Sequence, residues 1–495
     1  MESDRIAALA TPYGVSALAV LRTSGPGSVE VMAALCDKPE SVRSSDGGRM
    51  KRVLLVDPEA DQVLDEVMLG IFRAPHSYTG EDSVEIFCHG SPPGIRRILS
   101  VLYRNGFRPA EPGEFTLRAF MAGKVDLTRA EAVHEIVQAQ TATSHEMALA
   151  RLGGSVEAAI EESKQALVQI MAAVTVQLDY PEEDTGEIII PPETISTARA
   201  RLQELADTYR TGRLYQEGAR VALAGRTNAG KSSLFNAFLK EDRSIVSDTH
   251  GTTRDYIESH LDLDGIPVHL YDTAGLRVTE ESIEGEGIRR TRSVLDGADL
   301  VIYLVDSTEG LTEEDTAVIE ANRERLVVAW NKTDRPGSLP VPDSGALGGP
   351  AAGAPSAESP GGPAAGAPSA ESAGAESPGG RGELAGAGAG GAAAPALPVV
   401  VLPVSAVTLH GMDALVSHIV RELTPERTYR EGSPVIDSLR QKNLLERAAA
   451  ALGEVEAGLE AGYPVDAVSL DLQEAINALG EITGEVTSDD ILDAV

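Results

Sequence analysis

Residues 225 to 232, GRTNAGKS, have the GxxxxGK[ST] spacing and stand between an apolar run, VALAG from Val221, and a helical run, SLFNAFLK. Such a loop turns successive backbone N–H groups toward phosphate oxygens at a helix N-terminus. Lys231 then neutralises β/γ charge, Ser232 offers its hydroxyl to Mg²⁺, and Asn228, Ala229, Gly230 and Ser233 complete the cradle. Thr252 and Thr253 follow in HGTTRD, where a threonine can complete the Mg²⁺ shell and sense the γ-phosphate. Asp272, Thr273, Ala274 and Gly275 come after the strand-like IPVHLY and bring a carboxylate toward the metal and a glycine N–H toward the γ-phosphate. Asn331, Lys332 and Asp334 come after LVVAW, and Asp334 can accept the ring N–H and exocyclic amine that guanine offers and adenine does not. Ser405 and Ala406, after VVVLPV, can direct a backbone N–H at the guanine carbonyl. Each motif is weak alone; all of them in this order predict a GTPase domain.

The residue after DTAG, where signalling GTPases commonly use glutamine to orient water, is Leu276, which can neither donate nor accept a hydrogen bond. The acidic run Glu280, Glu281, Glu284 and Glu286 lies just downstream, with Glu284 the candidate for water positioning; the same glutamates also read as a solvated helix start. No arginine finger is evident, although Arg254 and Arg277 are near. Asn228 can instead hold a monovalent cation beside the phosphates, with carbonyls or hydroxyls of SDTHGTT as further ligands.

These motifs need a scaffold, and 495 residues suggest three or so domains. With 42% hydrophobic and 24% charged residues the chain can build sizeable cores, which excludes disorder throughout. A net charge of -34 excludes coating of nucleic acid or anionic membrane by bulk charge, so any RNA contact needs a local basic patch. Arg289, Arg290 and Arg292 are one candidate patch and equally a solvated helix face. Two cysteines, Cys36 and Cys88, without CxxC spacing, fit a reducing cytosolic compartment rather than a disulfide or zinc scaffold. With no 18-residue apolar run and no signal-peptide pattern at the start, a soluble, unprocessed protein without membrane association is expected.

Along the chain, ALAVLRTSG, KRVLLVD, VLDEVMLGIF and SVEIFCHG read as strands of an α+β module over 1–120. Apolar residues three to four apart from Arg129 to Leu178 predict a long helix pair, broken by YPEEDTGEIIIPP and followed by the helix ETISTARARLQELADTYR, within a segment 121–217. The G domain spans 218–421, and helical periodicity returns over 422–495 in Leu445, Leu452, Leu459, Ile476 and Leu479. Packing of these last helices on those of 129–210 would make the helical domain discontinuous and the G domain an insertion. Residues 335–397 are mostly Gly, Ala, Pro, Ser and Glu, with GPAAGAPSAES at 349–359 and again at 362–372, and predict a disordered surface insertion.

Taken with RAPHSYTGEDSVEIFCHG (73–90), PGEFTLRAFMAGKVDLTRAEAVHEIVQAQT (112–141), LDYPEEDTGE (178–187), GRTNAGKSSLFNA and SDTHGTTRDYIE, the sequence resembles the MnmE (TrmE) family of tRNA modification GTPases over almost its whole length outside the insertion. The resemblance implies a multidomain α/β protein: an N-terminal α+β tetrahydrofolate-binding and dimerisation domain, a discontinuous helical domain, and an inserted Ras-like P-loop GTPase domain. It implies a homodimer that works with the flavoprotein MnmG (GidA) in a heterotetrameric complex and modifies C5 of the wobble uridine of certain tRNAs, using 5-formyl- or methylene-tetrahydrofolate. Carried over by residue, it implies potassium ligation by Asn228, Ser247, Thr249 and Thr252, Mg²⁺ ligation by Ser232 and Thr253, and Glu284 as the catalytic glutamate. The nucleotide contacts then include Asp248, His250 and Gly251 of the same loop. Potassium promotes association of two G domains in the family and supplies the positive charge that a finger would. For folate it implies Arg22, Glu81 and Lys124, two cations for the glutamyl carboxylates and a carboxylate for the pterin.

The sequence departs from the family at Thr227, usually proline, and at His250, usually a small residue. The family's tail resembles Phe-x-x-Phe-Cys-Ile-Gly-Lys, and the sequence here runs through SDDILDAV to Val495, just short of the corresponding stretch. The resemblance therefore predicts either further coding sequence or a member without that element. Cys88 reads as a small buried strand residue, not a substitute for the tail's cysteine. The G motifs alone would also allow a GTP-timed RNA or ribosome-assembly switch, and the N-terminal module, which such a switch does not use, separates the two.

Overall fold

Val20, Phe87, Met68 and Arg52 form one cross-strand row of the N-terminal sheet, and Leu21, Ile86 and Leu69 form the next row, on its other face. This alternation is the period of two that the sequence carries. The computed structural model describes residues 4–179, 190–240, 257–272, 294–342, 399–424, 430 and 432–485. The sheet contains β1 (Arg5–Leu9), β2 (Ser16–Ser24), β3 (Arg49–Asp57), β4 (Gln62–Phe72), β5 (Ser83–Gly90) and β6 (Phe107–Pro109), in the order β3-β4-β5-β2-β1-β6. Leu21, Ile86 and Leu69 are buried in one core with Val29 and Met32 of helix α1 (Ser28–Ala34), and with Ile95 and Ile98 of α3 (Pro92–Arg104). At about 1.5–3 kcal/mol for each such side chain, this face holds the layer together. A short helix α2 (Pro39–Arg43) and α4 (Glu114–Met121) complete the module.

The stretch expected to form a helix pair is instead three helices: α5 (Leu127–Gln138), α6 (Ala142–Leu152) and α7 (Ser155–Asp179). Thr141 and Ser144 form a reciprocal capping box that starts α6, and Gly154, at φ 89°, follows its end. Periodicity alone runs through such breaks because the apolar face continues across them. α8 (Pro192–Asp207) and α9 (Tyr209–Glu217) follow.

Residues 219–263 and 268–423 form a second compact unit. Its sheet runs β12-β11-β10-β7-β9-β8, with β7 (Ala219–Gly225), β8 (Ile257–Leu263), β9 (Ile266–Asp272), β10 (Leu300–Asp306), β11 (Leu326–Asn331) and β12 (Val400–Pro403). The pairings of β7 with β9 and β10, and of β11 with β10 and β12, are parallel. Every residue of β10 and β11 is buried, the continuous apolar pattern of strands covered on both faces. α10 (Lys231–Lys240), α11 (Glu313–Ala321) and α12 (Met412–Leu423) belong to this unit. Residues 335–342, grouped by composition with the insertion, are tied to the sheet instead: Leu339 N–H donates to Ser307 O at 2.7 Å, and Trp330 Nε1 donates to Leu339 O at 3.0 Å. The rest of the insertion, 343–397, lies outside the described residues.

The chain returns in α13 (Leu439–Ala461) and α14 (Val465–Thr483). Leu445, Leu452, Leu472 and Leu479 share one core with Ile160 and Leu167 of α7 and Ile195 and Leu202 of α8. The helical domain is thus discontinuous, with the G domain inserted between its halves. Within it Arg151, 2% exposed, pairs with Glu135 at 2.5 Å and with Asp437 at 2.9 Å, joining α5, α6 and the segment that enters α13. Among the described residues no helix is long and apolar enough to cross a membrane.

Candidate functional site

The phosphate loop leaves β7 at Gly225, whose φ is 136° and where a Cβ would lie 2.4 Å from Leu304 O of the neighbouring strand. Only glycine permits both that backbone and that approach. Gly230, at φ 103°, has the side-chain amide of Asn331 where its Cβ would be, 2.2 Å away, and Asn228 between them is left-handed at φ 63°. Lys231 is buried and closes across the loop, donating from Nζ to Gly225 O at 2.6 Å and to Arg226 O at 2.8 Å. Ser232 Oγ donates to Asp272 Oδ2 at 3.1 Å. The hydroxyl that opens α10 and the carboxylate that ends β9 therefore meet, a pair of hard oxygen donors of the kind that suits Mg²⁺. Gly225, Asp272, Asp306 and Asn331 all end parallel strands, the edge at which open α/β sheets bind ligands.

The base motif is one hydrogen-bonded unit. Asn331 Nδ2 donates to Ala229 O at 2.8 Å and Asn331 Oδ1 accepts from Ala406 N–H at 3.2 Å. Ser405 Oγ donates to Asp334 Oδ1 at 2.7 Å, and Thr333 Oγ1 donates to Val404 O at 3.0 Å. Adjacent β11 and β12, paired Trp330 to Pro403, bring these two loops side by side. Lys332, at φ 66°, pairs with Asp306 Oδ2 at 2.5 Å. Burial works to raise the Asp306 carboxyl, but hydrogen bonds from Lys332 and Thr308 outweigh it and hold the group below the usual carboxylate range. Asp306 was not singled out from sequence; its signal is a lone acid closing the apolar run LVIYLVD.

Arg22 and Lys124 both contact the loop of residues 73–82, which carries Glu81. Arg22 pairs with Glu85, its cross-strand partner, at 2.9 Å and stacks on Tyr78 and Phe115 with its guanidinium carbon 5.5 and 5.7 Å from the ring centroids. Lys124 Nζ donates to Pro75 O and its Cε lies 3.4 Å from where a Gly80 Cβ would be, so the lysine crosses the loop against Gly80. Tyr78 OH meets Thr116 Oγ1 of α4 at 3.0 Å. Arg118, in the same helix, pairs with Glu81 at 3.0 Å and with Glu114 at 2.8 Å. Burial works to raise the Glu114 carboxyl, yet hydrogen bonds from Arg108, the Glu111 N–H and Arg118 bring it down to about 2. Tyr78, Glu85, Phe115 and Arg118 escaped the sequence reading, where they are ordinary members of SYTGED, SVEIF and EFTLRAF. Cys88, in contrast, is the buried strand residue expected, and burial pushes its thiol up to about 11.

Ser247, Asp248, Thr249, His250, Gly251, Thr252, Thr253, Thr273, Ala274, Gly275 and Glu284 lie outside the described residues, as do Arg254, Arg277, Arg289, Arg290 and Arg292.

Residues 5–124 match the family model of the GTP-binding protein TrmE N-terminus, and residues 127–495 match that of the MnmE helical domain. The tRNA modification GTPase MnmE of Treponema denticola is 38% identical over 501 residues, covering 99% of this chain and 96% of its own length. That of Borrelia recurrentis is 37% identical over 496 residues with the same coverage, and that of Carboxydothermus hydrogenoformans 34% identical over 502 residues, covering 100% and 98%.

Proposed function

Because the chain belongs to the MnmE (TrmE) family of tRNA modification GTPases, we propose that it couples GTP hydrolysis to modification of the tRNA wobble uridine. It is a potassium-stimulated GTP hydrolase that, with an MnmG-type flavoprotein, adds an aminomethyl or carboxymethylaminomethyl group to C5 of that base, using a tetrahydrofolate one-carbon unit. The observation that carries the nucleotide reading is Asn331, whose amide joins the phosphate loop at Ala229 and the base loop at Ala406. One side chain thereby fixes the distance between the two ends of a bound guanine nucleotide.

In this reading Lys231 leaves the loop carbonyls for the β/γ-phosphates, and the N–H groups of residues 228–233 cradle them. Asp334, held by Ser405, accepts the two guanine N–H groups, and the Ala406 N–H, which meets Asn331 Oδ1 at 3.2 Å, is shared with the guanine carbonyl. Ser232 and Thr253 are the proposed Mg²⁺ ligands, and Asn228, Ser247, Thr249 and Thr252 the proposed potassium ligands. When bound, these cations supply positive charge against the phosphate oxygens. Glu284 orients the attacking water, a role Leu276 cannot take.

Arg22, Glu81 and Lys124 bind the folate. The homodimer forms through the sheet face opposite the helices, where Leu18, Met50 and Met68 are 63%, 56% and 36% exposed beside Val20 and Phe87. Unpaired, buried Cys36 and Cys88 fit the cytoplasm.

Mass spectrometry of wobble uridine tests the proposal, after tRNA is incubated with GTP, potassium, methylenetetrahydrofolate, the flavoprotein and this chain. Aminomethyl-type product is expected. Potassium-stimulated GTP hydrolysis with unmodified tRNA would replace this function with that of a GTP-timed switch.

A further inference from the structure

Arg118 has five N–H donors and each has an acceptor. Nε donates to Glu114 Oε1 at 3.2 Å; Nη1 donates to Asp4 O at 2.9 Å and to Glu81 Oε2 at 3.0 Å; Nη2 donates to Asp4 Oδ1 at 2.6 Å and to Glu114 Oε1 at 2.8 Å. The Arg118 side chain is 12% exposed, and Glu114 is held in turn by both terminal nitrogens of Arg108. A planar fork satisfied at every position cannot swing without breaking several charge-assisted bonds, so Arg118 is a fixed point tying α4 to the start of β1.

What that fixed point holds is one oxygen of Glu81. Ser24 Oγ donates to the same Oε2 at 2.7 Å. Ser24 has a single hydroxyl proton, committed to that carboxylate, so in its 2.6 Å contact with Thr79 Oγ1 the threonine is the donor. Among the described residues both hydrogen bonds to the Glu81 carboxylate thus fall on Oε2, and none reaches Oε1. The carboxylate is pinned by one oxygen and presents the other as an acceptor, in the loop that Lys124 crosses and that also carries Tyr78.

We propose that Arg118 is a positioning residue for ligand recognition: it fixes Glu81 so that Oε1 accepts from the N–H groups of a reduced pterin, without touching the ligand itself. The inference rests on the folate reading of Arg22, Glu81 and Lys124 and adds to it the residue that sets the carboxylate's orientation. A site that must accept from paired N–H donors gains from a carboxylate whose rotamer is fixed before the ligand arrives.

The test is a double-mutant cycle in the full chain, with 5-formyltetrahydrofolate as the probe and its Kd read by calorimetry for wild type, R118Q, E81Q and the double variant. Arg118→Gln is expected to raise Kd about tenfold in the wild-type background and less than about twofold on top of Glu81→Gln, since its effect passes through that carboxylate. Arg118→Lys, which keeps the charge and one donor, should recover part of the loss, and it replaces R118Q in the cycle if that variant does not fold. A Kd within about twofold of wild type for R118Q, or an equal loss on both backgrounds, overturns the inference. Arg22→Gln separates the two levels. If R22Q and E81Q bind the probe as wild type does, the folate reading itself fails and takes this inference with it; if they weaken binding and R118Q does not, only the inference fails.

Discussion

Asn331 Nδ2 donates to the carbonyl oxygen of Ala229 at 2.8 Å, so the first residue of the base motif also holds the phosphate loop. Asn331→Ala leaves Ala229 O and Ala406 N–H without this partner. At about 1–1.5 kcal/mol for each of the two lost bonds, the expected rise in Kd for GTP is about thirtyfold to about 150-fold. Titration with a fluorescent GTP analogue reads it. Unchanged affinity would mean that the two loops keep their spacing without Asn331.

Asp334 faces the opposite test, of specificity rather than scaffold. Its Oδ1 is taken by Ser405, and replacement by asparagine puts an N–H donor where guanine presents its own N–H groups. Xanthine has a carbonyl in place of the exocyclic amine and matches the new donor. Asp334→Asn should therefore weaken GTP by about a hundredfold and favour XTP, measured by competition of the two nucleotides. Equal loss of both would point to collapse of the loop rather than to base reading.

How much of this was legible depended on the physical length of each signal. Strands β2 to β5 stood out because eight or more residues alternate against a core, whereas β1 and β6, RIAAL and FRP, are too short to show a period and exist through their pairing. The phosphate loop stood out because backbone demands fix its residue types: the glycines at 225 and 230 sit where any Cβ would collide. Arg118 and Asp306 were missed for the converse reason. Their importance lies in partners 37 and 26 residues away, which only the folded chain brings to them.

The open sheet face predicts where the proposed homodimer is sensitive. Met68 lies between Phe87 and Arg52 in its cross-strand row and is partly exposed. Met68→Glu places a carboxylate in that apolar strip, and in a two-fold interface it does so twice. Dimerisation should weaken by at least about a hundredfold in Kd if the carboxylates are desolvated. Sedimentation velocity should then show monomer at concentrations where wild type is dimeric; a variant that stays dimeric would move the interface to another face.

The Arg151 cluster makes a prediction about pH. Glu135 is pushed up to about 8, first by burial and then by the negative charge of Asp437, with Arg151 opposing both. Its ordinary value is 4.5, so between pH 4.5 and about 8 the folded chain retains a proton that the unfolded chain has released. The native state then binds more protons than the unfolded state, and the contribution of this group to stability falls as pH rises through that window. A neutral glutamic acid accepts from Arg151 and donates to Asp437. Glutamine does both through its oxygen and its amide, and it does not titrate. Glu135→Gln should therefore match wild type near pH 5 and become the more stable protein toward pH 8, so that the difference in Tm between the two grows with pH. A difference that stays flat from pH 5 to 8 would mean that Arg151 holds Glu135 ionised in the folded chain.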